Sequence, residues 1–517
     1  MRKRNKFSLS HYNLTTMNMG YVVPVGIIEV LPGDTIQQAT SAFIRVTPMV
    51  APVMHPVHVY IHHWYVPLRL IWDDFESFIT GGPDGLDTSE FPVMNHHGAT
   101  VGDLGDHLGL PPDVPENTMV SALPARAYDL IWNEWYRNQD TNDPVVISTA
   151  SGLDTTTSRI LLPKAWDKDY FTTAAPWPQK GPAISVPVDL PTGSQPTITI
   201  EGNGNPIKVS SYFDGSPVQE NVPLYMFKHP DSGNFSNENL IGSVRNSVEN
   251  WPSGVTKADL FWGTEGPGLK ATYHPGTQGL GNVDINKLRE AFALQRFEEH
   301  RALYGSRYTE YLRYLGIRAS DARLQRPEYL GGGRQTIQFS EVLQTSEGTN
   351  PVGTMRGHGI AAMRTNRYRR FIEEHGLVLT LMSVMPISIY QQGIPRMWNR
   401  RVKEDFWQKE LEHIGEQEIL NKELYGMSDN PDEVFGYQSR YDEYRSHQSF
   451  VSGEFRKLLN YWHFAREFAN QPTISSDFIY GAPTNRPFAE QTQNQLYCMV
   501  NHSIQARRLV SRRGNPI

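Results

Sequence analysis

The sequence has a single cysteine, Cys498, among its 517 residues. One thiol cannot form an internal disulfide, which is typical of a chain that is assembled in a reducing cytoplasm. No run approaches the ~20 apolar residues that a helix needs to cross a bilayer. The N-terminal residues 1–13 are basic, but no apolar segment follows them, and we therefore expect no signal peptide.

Excess positive charge is also lacking, because the formal net charge is -7 at pH 7. A protein that coats nucleic acid with its whole surface is expected to be basic. The two ends are nevertheless basic, which indicates local phosphate contact from the termini, although solvated and mobile ends are the alternative. The candidate nucleic-acid-binding residues are Arg2, Lys3, Arg4, Lys6, Arg507, Arg508, Arg512 and Arg513.

Patterns typical of enzymes are missing. There is no G-x-S-x-G elbow for a nucleophilic serine. Glycoside hydrolysis needs two carboxylates ~5–9 Å apart across a cleft, whereas the side chains of the adjacent pairs Asp73-Asp74 and Glu373-Glu374 diverge. Gly331–Gly333 lacks the Lys-Ser/Thr pair of a phosphate loop and predicts a turn. We expect no enzyme and no cofactor, with a β-sandwich protein that binds or hydrolyses carbohydrate as the alternative.

Histidines are concentrated at His55, His58, His62 and His63, but their spacing argues against a metal site. On a strand, His58 and His62 share a face roughly 13 Å apart, and His63 points to the opposite face. Zinc needs ligands that converge to within ~2 Å of the ion. The sequence therefore predicts polar packing or an interface for these histidines and no metal site.

The clearest elements are two strands and a helix. Residues 57–67 alternate with β-branched and aromatic side chains on both faces, which predicts a strand covered on both sides and followed by a short aromatic helix up to Gly81. Residues 376–390 predict a buried strand that is interrupted near Pro386. Residues 121–140 predict a helix with Tyr128 on its apolar face and Arg126 and Asp129 on its polar face.

Further helices are predicted over residues 284–316, 403–423 and 454–470. Between them, residues 141–280 are rich in Pro, Gly, Ser, Thr and Asn, with only short alternating runs, and indicate a large β or irregular insertion. The chain is accordingly divided into an N-terminal part (1–140), this insertion (141–280) and a C-terminal part with helices, strands and a basic tail (281–517).

Long blocks of sequence resemble one family. They include HHWYVPLRLIWDDFESFITG (62–81), LPARAYDLIWNEWYRNQ (123–139), LREAFALQRFEEHRALYGSRYTEYL (288–312) and DARLQRPEYLGGGRQTIQFSEVLQTS (321–346). Further blocks are EHGLVLTLMSV (374–384), YQQGIPRMWNRR (390–401), HIGEQEILNKELY (413–425) and VFGYQSRYDEYR (434–445). The chain resembles the major capsid proteins of the Microviridae, the small phages with circular single-stranded DNA, and especially those of the gokushovirus type.

The resemblance implies a mainly β fold, an eight-stranded antiparallel jelly roll with large loop insertions and several helices. It also implies a homo-oligomeric T=1 icosahedral shell around single-stranded DNA, assembled in the cytoplasm of a host bacterium and located in the virion. Residues 185–275 would form a surface protrusion at the threefold axes and are a candidate for attachment to a host receptor. Partners would include a small basic DNA-binding protein and other structural proteins of the phage.

Overall fold

The computed structural model describes residues 4–182, 184, 197–202, 207–213, 216–224, 269–274, 285–304, 307–317, 320–345 and 351–512. By internal contacts the chain divides into one unit of residues 1–183 and 293–517 and a second of residues 184–292. Among the described helices, none is both long and apolar enough to span a bilayer.

The described strands are β1 (Asn5–Ser8), β2 (His11–Met17), β3 (Val23–Val30), β4 (Thr35–Val46), β5 (Val57–Pro67), β6 (Val93–Asn95), β7 (Met119–Ser121), β8 (Thr197–Gly202), β9 (Ile207–Phe213), β10 (Ser216–Leu224), β11 (Leu269–His274), β12 (Glu328–Thr336), β13 (Gln338–Leu343), β14 (Met355–Arg364), β15 (Tyr368–Phe371), β16 (Gly376–Pro386), β17 (Glu416–Leu420), β18 (Val434–Ser439) and β19 (Leu496–Arg508). The α-helices are α1 (Phe75–Thr80), α2 (Leu104–His107), α3 (Leu123–Ile131), α4 (Ile285–Tyr304), α5 (Tyr308–Tyr314), α6 (Asn421–Leu424) and α7 (Ser476–Tyr480).

Two antiparallel sheets dominate the first unit. The large sheet has the order β1-β19-β4-β14-β13, with β2 also paired to β19 and β15 also paired to β4. The inner sheet has the order β12-β5-β16-β3. From β2 to β5 the chain passes alternately between the sheets, and after β12 it alternates again through β14, β16 and β19. The prediction of a mainly β, antiparallel fold is confirmed.

The inner sheet is covered on both faces. Val59 and Ile61 of β5 pack with Ile44 of β4 and Val500 of β19, which closes a core between the two sheets. The alternate residues of β5 and β16, such as Trp64 and Leu379, pack in a second core with α3. The sequence predicted this two-sided burial for residues 57–67 and 376–390, and every residue of β16 is buried. Pro386 is the last residue of β16, where it interrupts no ladder hydrogen bond.

The predicted turn at Gly331–Gly333 is wrong, because these glycines lie within β12, opposite β5. A Cβ atom on Gly332 would lie 2.3 Å from the carbonyl oxygen of Ile61. Glycine is thus required here by the close approach of two backbones rather than by a change of chain direction.

Two predicted helices are also wrong. Residues 403–423 form a 3₁₀ turn (Lys403–Asp405), then β17 and α6. Residues 454–470 contain only short 3₁₀ turns, after which Arg466 donates its backbone N–H to the carbonyl of Ile389 at 2.8 Å. In contrast, α4 and α5 confirm the helices predicted within residues 284–316.

The helix predicted over 121–140 is confirmed as α3 and a π-helical turn at Trp132–Tyr136, but its polar face is not solvated. Arg126 and Asp129 are fully buried. The Nε of Arg126 forms an ion pair with Asp154 at 2.8 Å, and its other nitrogens donate to the carbonyl groups of Ile71 and Ala150. A charged side chain on the polar face of a helix can therefore be part of the core when loops close over it.

In the second unit, β9 pairs with β10 and β8 pairs with β11, both antiparallel. These strands lie within residues 141–280, for which the sequence predicts an insertion, whereas residues 141–183 belong to the first unit. In the first unit, residues 162–174 contribute Leu162, Tyr170 and Phe171 to the core beside α3.

A polar network lies between the two sheets. His63 contacts the hydroxyl groups of Thr380 at 3.0 Å and Thr365 at 3.3 Å. The Nε2 of His502 contacts the carbonyl oxygen of Val25 at 2.9 Å, and its Nδ1 contacts the hydroxyl of Thr40 at 3.0 Å. Burial lowers the pKa of His63 to about 3 and that of His502 to about 4, so both rings are neutral in the folded chain at neutral pH.

We expect the free energy of unfolding to decrease as the pH is lowered below about 6.5, the ordinary pKa of histidine. Between that pH and the folded pKa values, the unfolded chain binds protons that the folded chain does not, so acid favours unfolding; above about 6.5 the contribution is complete. The expected loss is roughly 1.4 kcal/mol per pH unit for each histidine. Thermal unfolding measured from pH 7 to pH 4 tests this, and the variant His502→Gln should show a shallower decline. Equal pH slopes for both proteins would contradict it.

Candidate nucleic-acid interface

The strands of the large sheet alternate with period two, so that one face of the sheet packs on the inner sheet and the other face is exposed. In β14 and β19, every second residue is buried against the inner sheet, and the residues between them point away from it. We call the second set the outer face. Its side chains form rows across neighbouring strands, which lie about 4.8 Å apart.

The register of β1 and β19 brings the two basic ends of the chain together. Lys6 lies directly opposite Arg507, and both side chains are exposed. Like charges at directly opposed positions destabilise a sheet unless a counter-charge is present. The structure therefore places two of the predicted cations side by side, whereas two separate tails would leave them apart.

Other predicted cations have partners within the protein. Arg4 donates from Nη1 to the carbonyl of Gly33 and the hydroxyl of Thr35, both at 3.0 Å. Arg508 forms an ion pair with the buried Asp34, with 2.9 Å between Nε and Oδ2. Arg512 is exposed. The remaining candidates, Arg2, Lys3 and Arg513, lie outside the described residues.

Sequence reasoning missed further cations on the same face. Arg45 of β4 lies opposite Tyr497 of β19, Arg364 of β14 lies opposite Ser41, and Arg369 of β15 lies opposite Gln37. Arg364 and Arg369 lie in the arginine-rich run RTNRYRR (364–370), which is a local signal that could have found them. Arg45 is the one basic residue of β4, and for it the signal is the absence of carboxylates from a segment that alternates with period two.

The imbalance of charge on the large sheet is pronounced. Its seven strands contain one carboxylate, Glu341. Their basic residues are Lys6, Arg45, Arg356, Arg364, Arg369, Arg370, Arg507 and Arg508. Among the described residues, no carboxylate lies within 4.0 Å of Lys6, Arg45, Arg364, Arg369 or Arg507. In a chain of net charge -7, such a face is suited to an external polyanion.

Aromatic side chains accompany these cations. Tyr12 and Phe371 are exposed, and the guanidinium of Arg45 lies 5.5 Å from the ring centroid of Phe43. A groove of about 700 Å³ along β2 is lined in part by Tyr12, Phe43, Arg45 and Tyr497. Cations that bind phosphates beside rings that stack on bases are the elements of a sequence-tolerant surface for single strands.

No convergent metal ligands occur among the described residues, since no group of three or more His, Cys, Asp or Glu side chains could hold an ion. His62 contacts the hydroxyl of Tyr136 at 2.7 Å on the α3 side, whereas His63 lies between the sheets. The hydroxyl groups of Thr149 and Ser151 donate to Asp73 and Asp74, respectively. Burial raises the pKa of the Cys498 thiol to about 12, which keeps it protonated at neutral pH.

Comparison with known proteins gives a consistent result. A family model described as "Capsid protein (F protein)" matches residues 1–517. The chain is 33% identical over 494 residues to capsid protein VP1 of Bdellovibrio phage phiMH2K, covering 92% of this chain and 87% of that protein. It is 31% identical over 557 residues to capsid protein VP1 of Chlamydia phage 1, covering 96% and 92% of the two chains. Capsid protein VP1 of Spiroplasma virus 4 is 29% identical over 515 residues, covering 92% and 87%.

Proposed function

Because the chain belongs to the phage capsid protein (F protein) family, we propose that many copies of it close into a T=1 icosahedral shell around circular single-stranded DNA. The family is that of the Microviridae, phages with single-stranded DNA, and its members are structural components of the virion rather than enzymes. A β-sandwich protein that hydrolyses carbohydrate is therefore set aside.

In this proposal the outer face of the large sheet points towards the genome. The single observation that carries it is the row formed by Lys6 and Arg507, together with Arg45, Arg364 and Arg369, none of which has a carboxylate partner among the described residues. Packaged DNA supplies the missing negative charge and releases its own counterions on contact. The basic residues at the two ends of the chain would contact the same DNA.

We assign the two facing sheets to the jelly roll that the family resemblance implies. The order β2-β19-β4-β14 in one sheet and β3-β16-β5-β12 in the other supports this. Each sheet then contributes four strands, all neighbours are antiparallel, and consecutive strands alternate between the sheets except where β5 is followed by β12 beside it. Two sheets linked in this way agree with the eight-stranded double-sheet architecture of many capsid subunits.

The insertion supplies the surface of the particle. Residues 185–275 would form the protrusion at each threefold axis and contact the host receptor. Their occurrence in a separate compact unit with its own antiparallel pairs supports this assignment.

Because the outer face offers few cations for a whole genome, a small basic DNA-binding protein would share the neutralisation of the phosphates.

Electron microscopy and sedimentation of the purified native protein, before and after nuclease, test the proposal. We expect closed particles of megadalton mass that protect single-stranded DNA from digestion. A species that remains a monomer or small oligomer in the presence of the other phage structural proteins would contradict the assembly of a shell.

A further inference from the structure

Five large apolar side chains are exposed within residues 396–409, which we call the aromatic strip: Met397, Trp398, Val402, Phe406 and Trp407. Trp398 is 66% exposed and Trp407 is 49% exposed. Solitary subunits rarely expose apolar side chains at this density, and tryptophan is enriched among the residues that dominate binding energy at interfaces. The strip therefore has the composition of a docking surface.

The strip is held in place although it has little regular secondary structure. Arg396 forms an ion pair with Glu423 at 3.0 Å and donates to the carbonyl of Glu418 at 2.6 Å. The guanidinium of Arg400 lies 4.5 Å from the ring centroid of Tyr444 and 5.3 Å from that of Phe406. A surface that is already ordered loses less entropy on binding than a flexible loop does.

The charge that the strip presents to a partner is positive. Arg396 and Arg400 are neutralised from outside it by Glu423 and Glu443. Asp405 accepts hydrogen bonds from the backbone N–H groups of Arg401 and Val402. The exposed side chains of Arg401, Lys403 and Lys409 remain, and of these Lys403 forms an exposed ion pair with Glu404 at 3.6 Å. The complementary surface should be acidic and should also offer apolar contacts.

One stretch of the chain has that character. Residues 70–125 contain ten carboxylates and no Lys or Arg. None of the ten forms an ion pair with a described residue. Within this stretch, residues 76–91, which we call the acidic loop, expose four carboxylates: Glu76, Asp84, Asp87 and Glu90.

The acidic loop is ordered and partly apolar. Its backbone is fixed by bonds such as that from the N–H of Asp87 to the carbonyl of Gly81 at 3.1 Å. The rings of Phe78 and Phe91 pack on Trp72 with centroids 4.8 Å and 5.4 Å away, yet both remain partly exposed. Leu86 is 76% exposed at the tip. The loop and the strip thus combine apolar contacts with opposite charge.

We infer that the aromatic strip of one copy docks on the acidic loop of a neighbouring copy. The inference rests on the proposed shell, since it names two of the surfaces through which copies would meet. The contact joins two different surfaces, so it is heterologous and repeats around a symmetry axis until a ring closes. The attraction between unlike charges fixes its register, and the tryptophans supply the buried area.

Charge exchange tests the contact. One variant carries Arg401→Glu, Lys403→Glu and Lys409→Glu, and the second carries Asp84→Lys, Asp87→Lys and Glu90→Lys. Each should raise the protein concentration needed for shell assembly at least tenfold, because like charges then face each other. A chain with all six substitutions should assemble at nearly the original concentration, since every reversed charge meets a reversed partner.

Each outcome is decisive. Assembly of either triple variant at the original concentration would overturn the inference, as would failure of the sixfold variant to recover while circular dichroism shows it folded. As a second measure, Trp398→Ala should also raise the assembly concentration at least tenfold without changing the thermal unfolding of unassembled subunits. If the unchanged chain forms no shells even with the other phage structural proteins present, it is the proposed function that fails.

Discussion

Particles built from the variant Arg45→Glu, Arg364→Glu and Arg507→Glu are expected to contain markedly less single-stranded DNA while the shell itself persists. These side chains lie on the outer face of the large sheet, and none has a carboxylate partner among the described residues. Because the proposed interface loses three cations, the slope of log affinity against log salt for single-stranded DNA should decrease in magnitude by about 2, at ~0.7 per phosphate. Absorbance ratios of purified particles and salt titrations of unassembled subunits measure the two effects.

A matched control separates this site from net charge. The variant Lys168→Glu, Arg323→Glu and Lys457→Glu has the same change in charge at exposed positions away from the large sheet. It should retain both the DNA content and the salt slope. Equal losses in the two variants would show that DNA responds to the total charge of the subunit and not to this face.

The substitution Arg126→Met is expected to lower the free energy of unfolding by about 3–5 kcal/mol. It removes the partner of the buried Asp154 and leaves the carbonyl groups of Ile71 and Ala150 without their donor. Burial works to raise the pKa of Asp154, but hydrogen bonds from Thr157 and Arg126 hold it below the ordinary value, and the substitution removes the second of these. Urea unfolding of unassembled subunits gives the measurement.

Replacing both members of the pair, Arg126→Met with Asp154→Leu, should recover a large part of that loss, because no buried charge then remains unpaired. A double variant as unstable as Arg126→Met alone would mean that the missing hydrogen bonds to the two carbonyl groups account for the cost. A single variant with unchanged stability would contradict the role assigned to the ion pair.

Where the pattern of apolar residues in the sequence agrees with burial in the structure, the secondary structure was predicted correctly. Both faces of β5 and β16 carry apolar or aromatic side chains, and both strands lie between two cores. The helical spacing within residues 454–470 was misleading, because tertiary pairing overrides it. There Leu458 is 75% exposed, whereas Arg466 is buried, with its guanidinium 4.3 Å from the ring centroid of Phe478.

The candidate site was only partly predictable, for a topological reason. Lys6 and Arg507 could be suspected from the basic ends, but nothing local in the sequence says that they face each other. Arg364 and Arg369 lie in one arginine-rich run, residues 364–370, but Arg45 is far from that run in the sequence. They become a surface only through the pairing of β4 with β14, β15 and β19, which is a property of the whole fold.

The pairing of β19 has a consequence for the order of events during synthesis. Residues 496–508 leave the ribosome long after β1, β2 and β4, yet all three strands depend on them as a neighbour. Pairing across so long a separation in sequence cannot form until β19 has emerged, and the earlier strands lack this neighbour until then. The opposed cations Lys6 and Arg507 therefore come together only once β19 has left the ribosome, and not while the N-terminal strands are being made.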